Sequence, residues 1–325
     1  MTWRIFYRIQ NESQDFWAIE QQGIELELNY GPIGSKGLYS RKGLANTAEE
    51  TAEQAEALIV KQIQAGFTEV SEISSPDELP SRLRQKLLEH KLQKAGLGRS
   101  AWLPLTEAGD TITTASKFSG RPWLHAEENW PLCQNCQKPL QLMLQLNTSE
   151  LPAEMREKAG TGLIQLFYCV NTEPFCAIDC EAWYPFAKSV LARQVQPDDA
   201  GSESDLPDQA FPAKRITGWE AGAEEYPSPA EAMDLLAEHE TALTDNEYDL
   251  LLEEMAPAAG EKLGGWPAWA QGVEYPLCPD CKEPMEVIFQ LDSDQNLPHG
   301  WGDMGVGHLS LCQRHPETLA FGWAC

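Results

Sequence analysis

The sequence predicts an α+β chain: a small antiparallel sheet with one helix, then a larger, mostly β domain built from two copies of one unit. Three observations carry this. Apolar and polar side chains alternate over much of residues 2–43, the period of a strand. Residues 47–64 change to three- and four-residue apolar spacing, the period of a helix. Finally, WPLCQNCQKPL at 130–140 returns as YPLCPDCKEPM at 275–285, and recurrence at a fixed offset marks an internal repeat.

In the first module, Trp3-Arg4-Ile5-Phe6-Tyr7, Phe16-Trp17-Ala18-Ile19 and Ile24-Glu25-Leu26-Glu27-Leu28 are separated by Gly and Asn, which suits three or four antiparallel strands. Ala52, Ala55, Leu58, Ile59 and Ile63 supply the apolar stripe of the following helix. Thr47 with Glu50 three residues on predicts a capping box, and Gly66 a C-terminal stop. Residues 73–82, carrying Ser74, Ser75, Pro76 and Pro80, read as a linker. A basic amphipathic helix follows over about residues 81–95, with Leu83, Leu87, Leu88 and Leu92 as its stripe. The expected organisation is therefore a module at 1–72, a linker and helix at 73–100, and a duplicated domain at 101–325.

The recurrence holds without a gap. Lys117, Gly120, Pro122, Cys133, Cys136, Pro139, Gln145 and Gly162 return 145 residues later as Lys262, Gly265, Pro267, Cys278, Cys281, Pro284, Gln290 and Gly307. The repeats span about 116–195 and 261–325. Short apolar runs at 140–146, 163–170, 285–291 and 308–311 have strand length. Between the repeats, residues 196–260 read as an acidic helical insert: a solvated loop at 197–212, then one or two helices at 227–255. Ser228 is the candidate N-cap, and Met233, Leu235, Leu236, Leu243, Leu250, Leu251 and Met255 supply the apolar faces.

All nine cysteines lie at or beyond Cys133. The opening residues 1–8 have no apolar signal-peptide core, so a cytoplasmic location is expected. There, Cys-x-x-Cys pairs point to metal or redox chemistry before disulfides. Structural zinc takes four soft or borderline ligands in a tetrahedron, and each Cys-x-x-Cys supplies two. Cys180 and Cys325 are again 145 apart, and Cys169 and Cys312 each end a Gly-initiated strand. Two all-cysteine sites follow: Cys133, Cys136, Cys169 and Cys180, and Cys278, Cys281, Cys312 and Cys325. Cys176 could replace Cys180, and His315 could replace Cys325. The competing readings are buried reduced thiols and a redox pair, but the latter should open a helix, and here a proline and then a strand follow. One or two structural zinc ions are expected.

The formal net charge is −26. Residues 101–325 hold 36 acidic against 12 basic side chains, and residues 198–261 hold 18 acids against Lys214 and Arg215 alone. Such a field repels phosphate backbones and attracts basic proteins. No apolar run approaches the roughly 18 residues of a membrane span. No Gly-rich phosphate loop, His-Glu-x-x-His or Gly-x-Ser-x-Gly occurs, so no catalytic motif is legible.

Residues 3–70 resemble the WGR domain. The resemblance lies in the order of elements and in NYGPIGSKGLYSRKG at 29–43, followed by the helix and AGFTEV at 65–70. Of the name-giving Trp-Gly-Arg, only Gly31 is retained; Tyr30 and Pro32 stand in the outer positions. WGR domains touch DNA ends through basic and aromatic side chains, so the resemblance implies Tyr30, Lys36, Arg41 and Lys42 as contacts for nucleic acid or another partner. From residue 101 the chain is similar to the YwqG-like family. The similarity rests on SKFSGRPWL at 116–124, GLIQLFYC at 162–169, DCEAWYPFAKSVLARQV at 179–195 and CQRHPETLAFGWAC at 312–325. That family is in turn similar to eukaryotic programmed cell death protein 2, and it implies a duplicated, mostly β domain without an assigned activity. The expected function is a non-catalytic, zinc-stabilised, adaptor- or chaperone-like protein that binds a basic protein. The alternatives are a nucleic-acid-associated factor acting through the first module and a toxin-immunity protein.

Overall fold

A computed structural model describes residues 3–10, 13–33, 35–43, 45–70, 79–198, 201 and 205–325. The chain forms two compact units, Met1–Gly96 and Leu97–Cys325. Most of the expected linker, including Ser74, Ser75 and Pro76, lies outside the described residues, as do Gly34 and the side chains of Pro80 and Leu83.

The first unit is built on a five-stranded antiparallel sheet. Its strands are β1 (Arg4–Gln10), β2 (Ser13–Gln22), β3 (Glu25–Pro32), β4 (Leu38–Gly43) and β5 (Thr68–Val70), in the order β4-β3-β2-β1-β5. Helix α1 (Ala48–Gln64) covers one face, where Ile59 packs with Phe6, Trp17, Ile19, Leu26 and Leu28. Ile5, Phe16, Ala18 and Val70 form a second cluster. Successive strand residues point to opposite faces, so β2, apolar from Phe16 to Ile19, is buried on both sides. This is why the simple alternation fails there.

Helix α1 keeps its predicted start, with one change. The Glu50 N–H donates to Thr47 Oγ1 at 3.2 Å, but the Glu50 carboxylate accepts from the Asn46 N–H rather than from that of Thr47. Gly66 closes the helix at φ +89°, a conformation open to glycine at little cost. The inner face is Thr51, Ala55, Leu58 and Ile59, and it leaves Ala52 and Ile63 outside; Ile63 is 50% exposed. The predicted basic helix is α2 (Leu79–Lys94), with Leu88 and Leu92 fully buried.

The second unit is a ten-stranded antiparallel sheet. Its strands are β6 (Arg99–Ala108), β7 (Lys117–Phe118), β8 (Gln141–Asn147), β9 (Leu163–Tyr168), β10 (Val190–Val195), β11 (Lys214–Glu225), β12 (Lys262–Gly264), β13 (Glu286–Asp292), β14 (Val306–Leu311) and β15 (Leu319–Ala324). The order is β10-β9-β8-β7-β11-β6-β12-β13-β14-β15, so two four-strand halves flank the central pair β11 and β6. The sheet nearly closes into a barrel. Its two end strands approach each other, and the Trp323 N–H of β15 donates to the Trp183 carbonyl at 3.1 Å. One continuous core fills it, from Phe118, Leu144 and Leu166 in one half to Phe289, Leu309 and Phe321 in the other.

Register matches between the halves. Strand β8 pairs Gln141 with Tyr168 and Leu144 with Leu166 across a bulge; β13 pairs Glu286 with Leu311 and Phe289 with Leu309 across a bulge at the same place. The offset is 145 on the first strand of each pair and 143 on the second, so the gapless recurrence is corrected there: the counterpart of Gly162 in the register is Gly305, not Gly307.

The acidic insert needs correction. Residues 214–225 are not helical but form β11, at the centre of the sheet. After α3 (Ala153–Ala159) and α4 (Cys176–Asp179) in the first half, the helices among the described residues of the insert are α5 (Pro229–Ala237) and α6 (Asp245–Glu253). Ser228 precedes α5 but makes no capping bond. The working cap is on α6, where Thr244 and Glu247 form a reciprocal capping box, worth about 1 kcal/mol. Leu236, Leu251 and Met255 are buried as expected, whereas Met233 is exposed.

Candidate metal centres

Each Cys-x-x-Cys sits in a knuckle held by its own backbone. In the first, the Cys133 N–H donates to the Lys138 carbonyl at 2.9 Å, the Gln137 N–H to the Cys133 carbonyl at 2.9 Å, and the Leu140 N–H to the Pro131 carbonyl at 2.9 Å. In the second, the Cys278, Lys282 and Met285 N–H groups donate in the same way to Glu283, Cys278 and Pro276. Gln137 and Lys282 take left-handed φ values of 58° and 64°. That conformation turns the chain back, so that both thiols of a pair face inward.

The remaining ligands come from the strand that follows and from its exit. Cys169 directly succeeds β9, and Cys176 opens the short helix α4 (Cys176–Asp179). Cys312 directly succeeds β14, and His315 lies in the turn before β15. The resulting groups are Cys133, Cys136, Cys169 and Cys176, and Cys278, Cys281, Cys312 and His315; within each, the ligand atoms lie within 4.8 Å of one another. Both groups could hold a metal ion.

The fourth ligand in each group is thus the alternate residue, not the one given by the 145-residue offset. Cys180 is the C-terminal cap of α4, four residues beyond Cys176, so it sits about 6 Å farther along the helix axis. The Cys325 position fails for a different reason. Strand β15 runs away from the His315 turn, pairing Leu319 beside Leu311 and Ala324 beside Val306. Cys325 is therefore about 20 Å along the strand from the ligand group, near Gly302. The offset misleads because the connections differ: residues 169–189 join β9 to β10, but only residues 312–318 join β14 to β15. The sequence did carry one better signal, the Cys312-x-x-His315 spacing.

The distances discriminate between possible uses. The Sγ atoms of Cys133 and Cys176 are 3.9 Å apart, those of Cys136 and Cys169 3.7 Å, and those of Cys281 and Cys312 3.6 Å. His315 Nδ1 lies 3.5 Å from Cys278 Sγ and 3.8 Å from Cys312 Sγ. A disulfide needs about 2.05 Å, and all nine cysteines are free thiols. A tetrahedron with metal–sulfur bonds of about 2.3 Å has S···S edges of about 3.8 Å, and a mixed S···N edge is about 3.6 Å. These five separations match such edges.

Electrostatics agree with this geometry. Burial, which disfavours the charged thiolate, pushes the Cys176 thiol up to about 11 and the Cys169 thiol higher still, with the neighbouring Cys133 adding to the rise at Cys169. A divalent cation would offset that cost. At Cys278 burial also acts upward, but backbone N–H groups of Cys281 and Asp280, with His315 and Cys312, outweigh it and bring the thiol down to about 6. Asn135, which sequence reasoning did not single out, donates from Nδ2 to Cys176 Sγ at 3.3 Å. Donors of this kind orient metal ligands.

The family described as a domain of unknown function, DUF1963, matches residues 116–321, more than half of the chain and both ligand groups. The chain belongs to the DUF1963 family. No curated protein matches this DUF1963 protein. A crystal structure of a Bacteroides fragilis protein from a structural genomics consortium is 27% identical over 28% of this chain and 30% of that one, with a TM-score of 0.21. The DUF1963 protein thus spans less than a third of that chain, and so low a score bears on neither fold nor function.

The proposed contacts in the first unit are placed as follows. Tyr30 is on β3 and 40% exposed; Lys36 precedes β4, and Arg41 and Lys42 lie on β4, all exposed. Arg41 is paired with Glu27 and Glu25, and those carboxylates raise its pKa. Among the described residues, no helix is long and apolar enough to cross a membrane.

Proposed function

We propose that this DUF1963 protein is a non-catalytic interaction protein whose duplicated β domain is held by two structural zinc ions and whose acidic surface receives a basic protein. The observation that carries this is the pair of four-ligand groups with tetrahedral edge lengths. A site with four protein ligands leaves no position for the water that a catalytic zinc activates. Such a site holds fold rather than substrate. The matching register and hydrogen bonds of the halves are read as an internal duplication, and the first unit as a WGR-like module. The excess of 36 acidic over 12 basic residues in 101–325 supports a basic partner, because a field of one sign selects its opposite.

Elemental analysis of metal-replete protein should give two zinc ions per chain. Immobilised protein should capture basic proteins at low salt and release them at high salt, because screening shortens the reach of exposed charge. No zinc would overturn the first half of the proposal, and capture that is indifferent to salt the second. A nucleic-acid reading is favoured by one observation: Tyr30, Leu38 and Tyr39 are exposed beside Lys36 and Lys42. Its test is a gel shift that weakens in a Lys36→Ala/Lys42→Ala variant.

A further inference from the structure

A cleft of about 340 Å³ opens where the two ends of the sheet meet. Trp183, Tyr184, Trp269, Tyr275 and Trp323 line it, with Trp183 packed edge-on against Trp323. The cleft exists because Gly322 lets the chain at Trp183 pass close by: a Cβ on Gly322 would meet the Trp183 carbonyl at 2.7 Å. His308 also lines it, only 7% exposed, with Nε2 buried and lacking a hydrogen-bond partner. Tyr184 is 57% exposed, so the cleft is open to solvent.

The edges of these rings are already engaged. Trp269 Nε1 donates to Glu231 Oε2 at 3.4 Å, the Tyr275 hydroxyl donates to Glu231 Oε1, and Trp323 Nε1 donates to the Tyr168 hydroxyl at 2.9 Å. Glu231, on α5, is buried and lies near Arg99, so it anchors the walls rather than contributing a free charge. A groove that reads proline-rich peptides needs such donors to grip peptide carbonyls. Here the donors of three rings are spent, which leaves the rings as apolar and π surface to a ligand. An exposed carboxylate, Glu274, also lines the cleft. Burial, with a smaller effect from the Lys262 ammonium, pushes the His308 imidazole down to about 3, and that ammonium is itself bonded to both Glu225 carboxylate oxygens.

Aromatic faces around an apolar hollow with one carboxylate are the chemistry that selects a cation on an apolar stem. The geometry points to this cleft as the docking site for an arginine or lysine side chain of a basic partner protein. The inference rests on the basic-partner reading and gives that partner an address: residues 183–184, 269, 274–275, 308 and 323. Glu231 is a positioning residue, because it fixes two walls without facing the ligand. Pro276 and Leu277, which also line the cleft, directly precede the ligand Cys278. The second metal group therefore orders one wall.

The test uses the full chain labelled with 5-fluorotryptophan and titrated with capped Gly-Arg-Gly, followed by ¹⁹F NMR. The Trp183, Trp269 and Trp323 resonances, assigned by substitution, should shift saturably. The citrulline peptide, equal in shape but uncharged, should bind roughly tenfold more weakly. The exposed changes Tyr184→Ala and Glu274→Gln, which leave the core intact, should each weaken arginine binding by roughly threefold or more. Equal affinity for citrulline, or unmoved tryptophan resonances, would overturn the assignment. Capture of basic proteins separates it from the broader reading. If a variant combining Tyr184→Ala with Glu274→Gln captures them as well as the unaltered chain, the cleft is not the site, though the acidic-surface reading stands. If the peptide binds and no basic protein is captured, the cleft stands and the broader reading falls.

Discussion

Gln145 and Gln290, 145 residues apart, make the same three hydrogen bonds. Gln145 Nε2 donates to the carbonyls of Thr113 and Ala115, and its Oε1 accepts from the Trp123 N–H. Gln290 Nε2 donates to the carbonyls of Ala258 and Gly260, and its Oε1 accepts from the Ala268 N–H. All three partners are displaced by the same 145 residues. The neighbouring lysines follow suit: Lys117 and Lys262, both fully buried, reach Asp110 and Glu225, and those carboxylates also accept the Arg121 and Trp266 N–H groups.

Either glutamine changed to alanine should therefore destabilise the second unit to a similar degree. Each change strands two carbonyls and one N–H in a buried place, at a cost of about 2–4 kcal/mol. Urea unfolding measures it. A loss below about 1 kcal/mol in either variant would show that these bonds do not hold the strand in place.

Metal content should follow the geometry rather than the repeat offset. Cys176→Ser and His315→Ala should each lower zinc from two ions per chain to one, while Cys180→Ser and Cys325→Ser should retain both. Mass spectrometry under non-denaturing conditions counts the ions directly.

Glu261 gives a pH signature. It is 1% exposed, and burial raises its carboxyl to about 7, with Asn296 and Lys214 acting in the opposite direction. Because the folded pKa lies above the unfolded one, the folded state holds more protons between pH 4.5 and about 7. The stability from protonated Glu261 is therefore complete below pH 4.5 and is lost as pH rises through 7. Over that window it amounts to about 3 kcal/mol at most. Glu261→Gln should flatten this component, read as the difference between the two unfolding free energies at each pH.

The seam between the sheet ends should be intolerant of bulk. Gly322→Ala puts a methyl against the Trp183 carbonyl and should cost about 1–3 kcal/mol. The Trp323 N–H to Trp183 bond should lose protection in hydrogen exchange relative to bonds inside β13 and β14.

What was legible in the sequence is local. The helix stripe through Ala55, Leu58 and Ile59, the two Cys-x-x-Cys knuckles and the strand runs read at 163–170 and 285–291, which fold as Leu163–Tyr168 and Glu286–Asp292, depend on neighbours a few residues away, so periodicity and spacing expose them. Strand β11 was hidden. It is interrupted by Gly218 and Gly222 and by two register shifts, and its partners β6 and β7 lie about a hundred residues upstream. Nothing in the acidic surroundings of 214–225 announces that pairing.

The sequence by itself determined that there are two knuckles of one pattern, and that six cysteine and histidine candidates beyond them compete for four places. Only the tertiary structure chose. Cys176 joins its group and Cys180 does not because a helix carries a residue four positions on to a different height; His315 joins its group and Cys325 does not because an antiparallel strand leads the chain away from its turn. Ligand identity at a metal site depends on where side chains arrive in space, and spacing along the chain fixes that only while the backbone between two ligands has the same course in both halves.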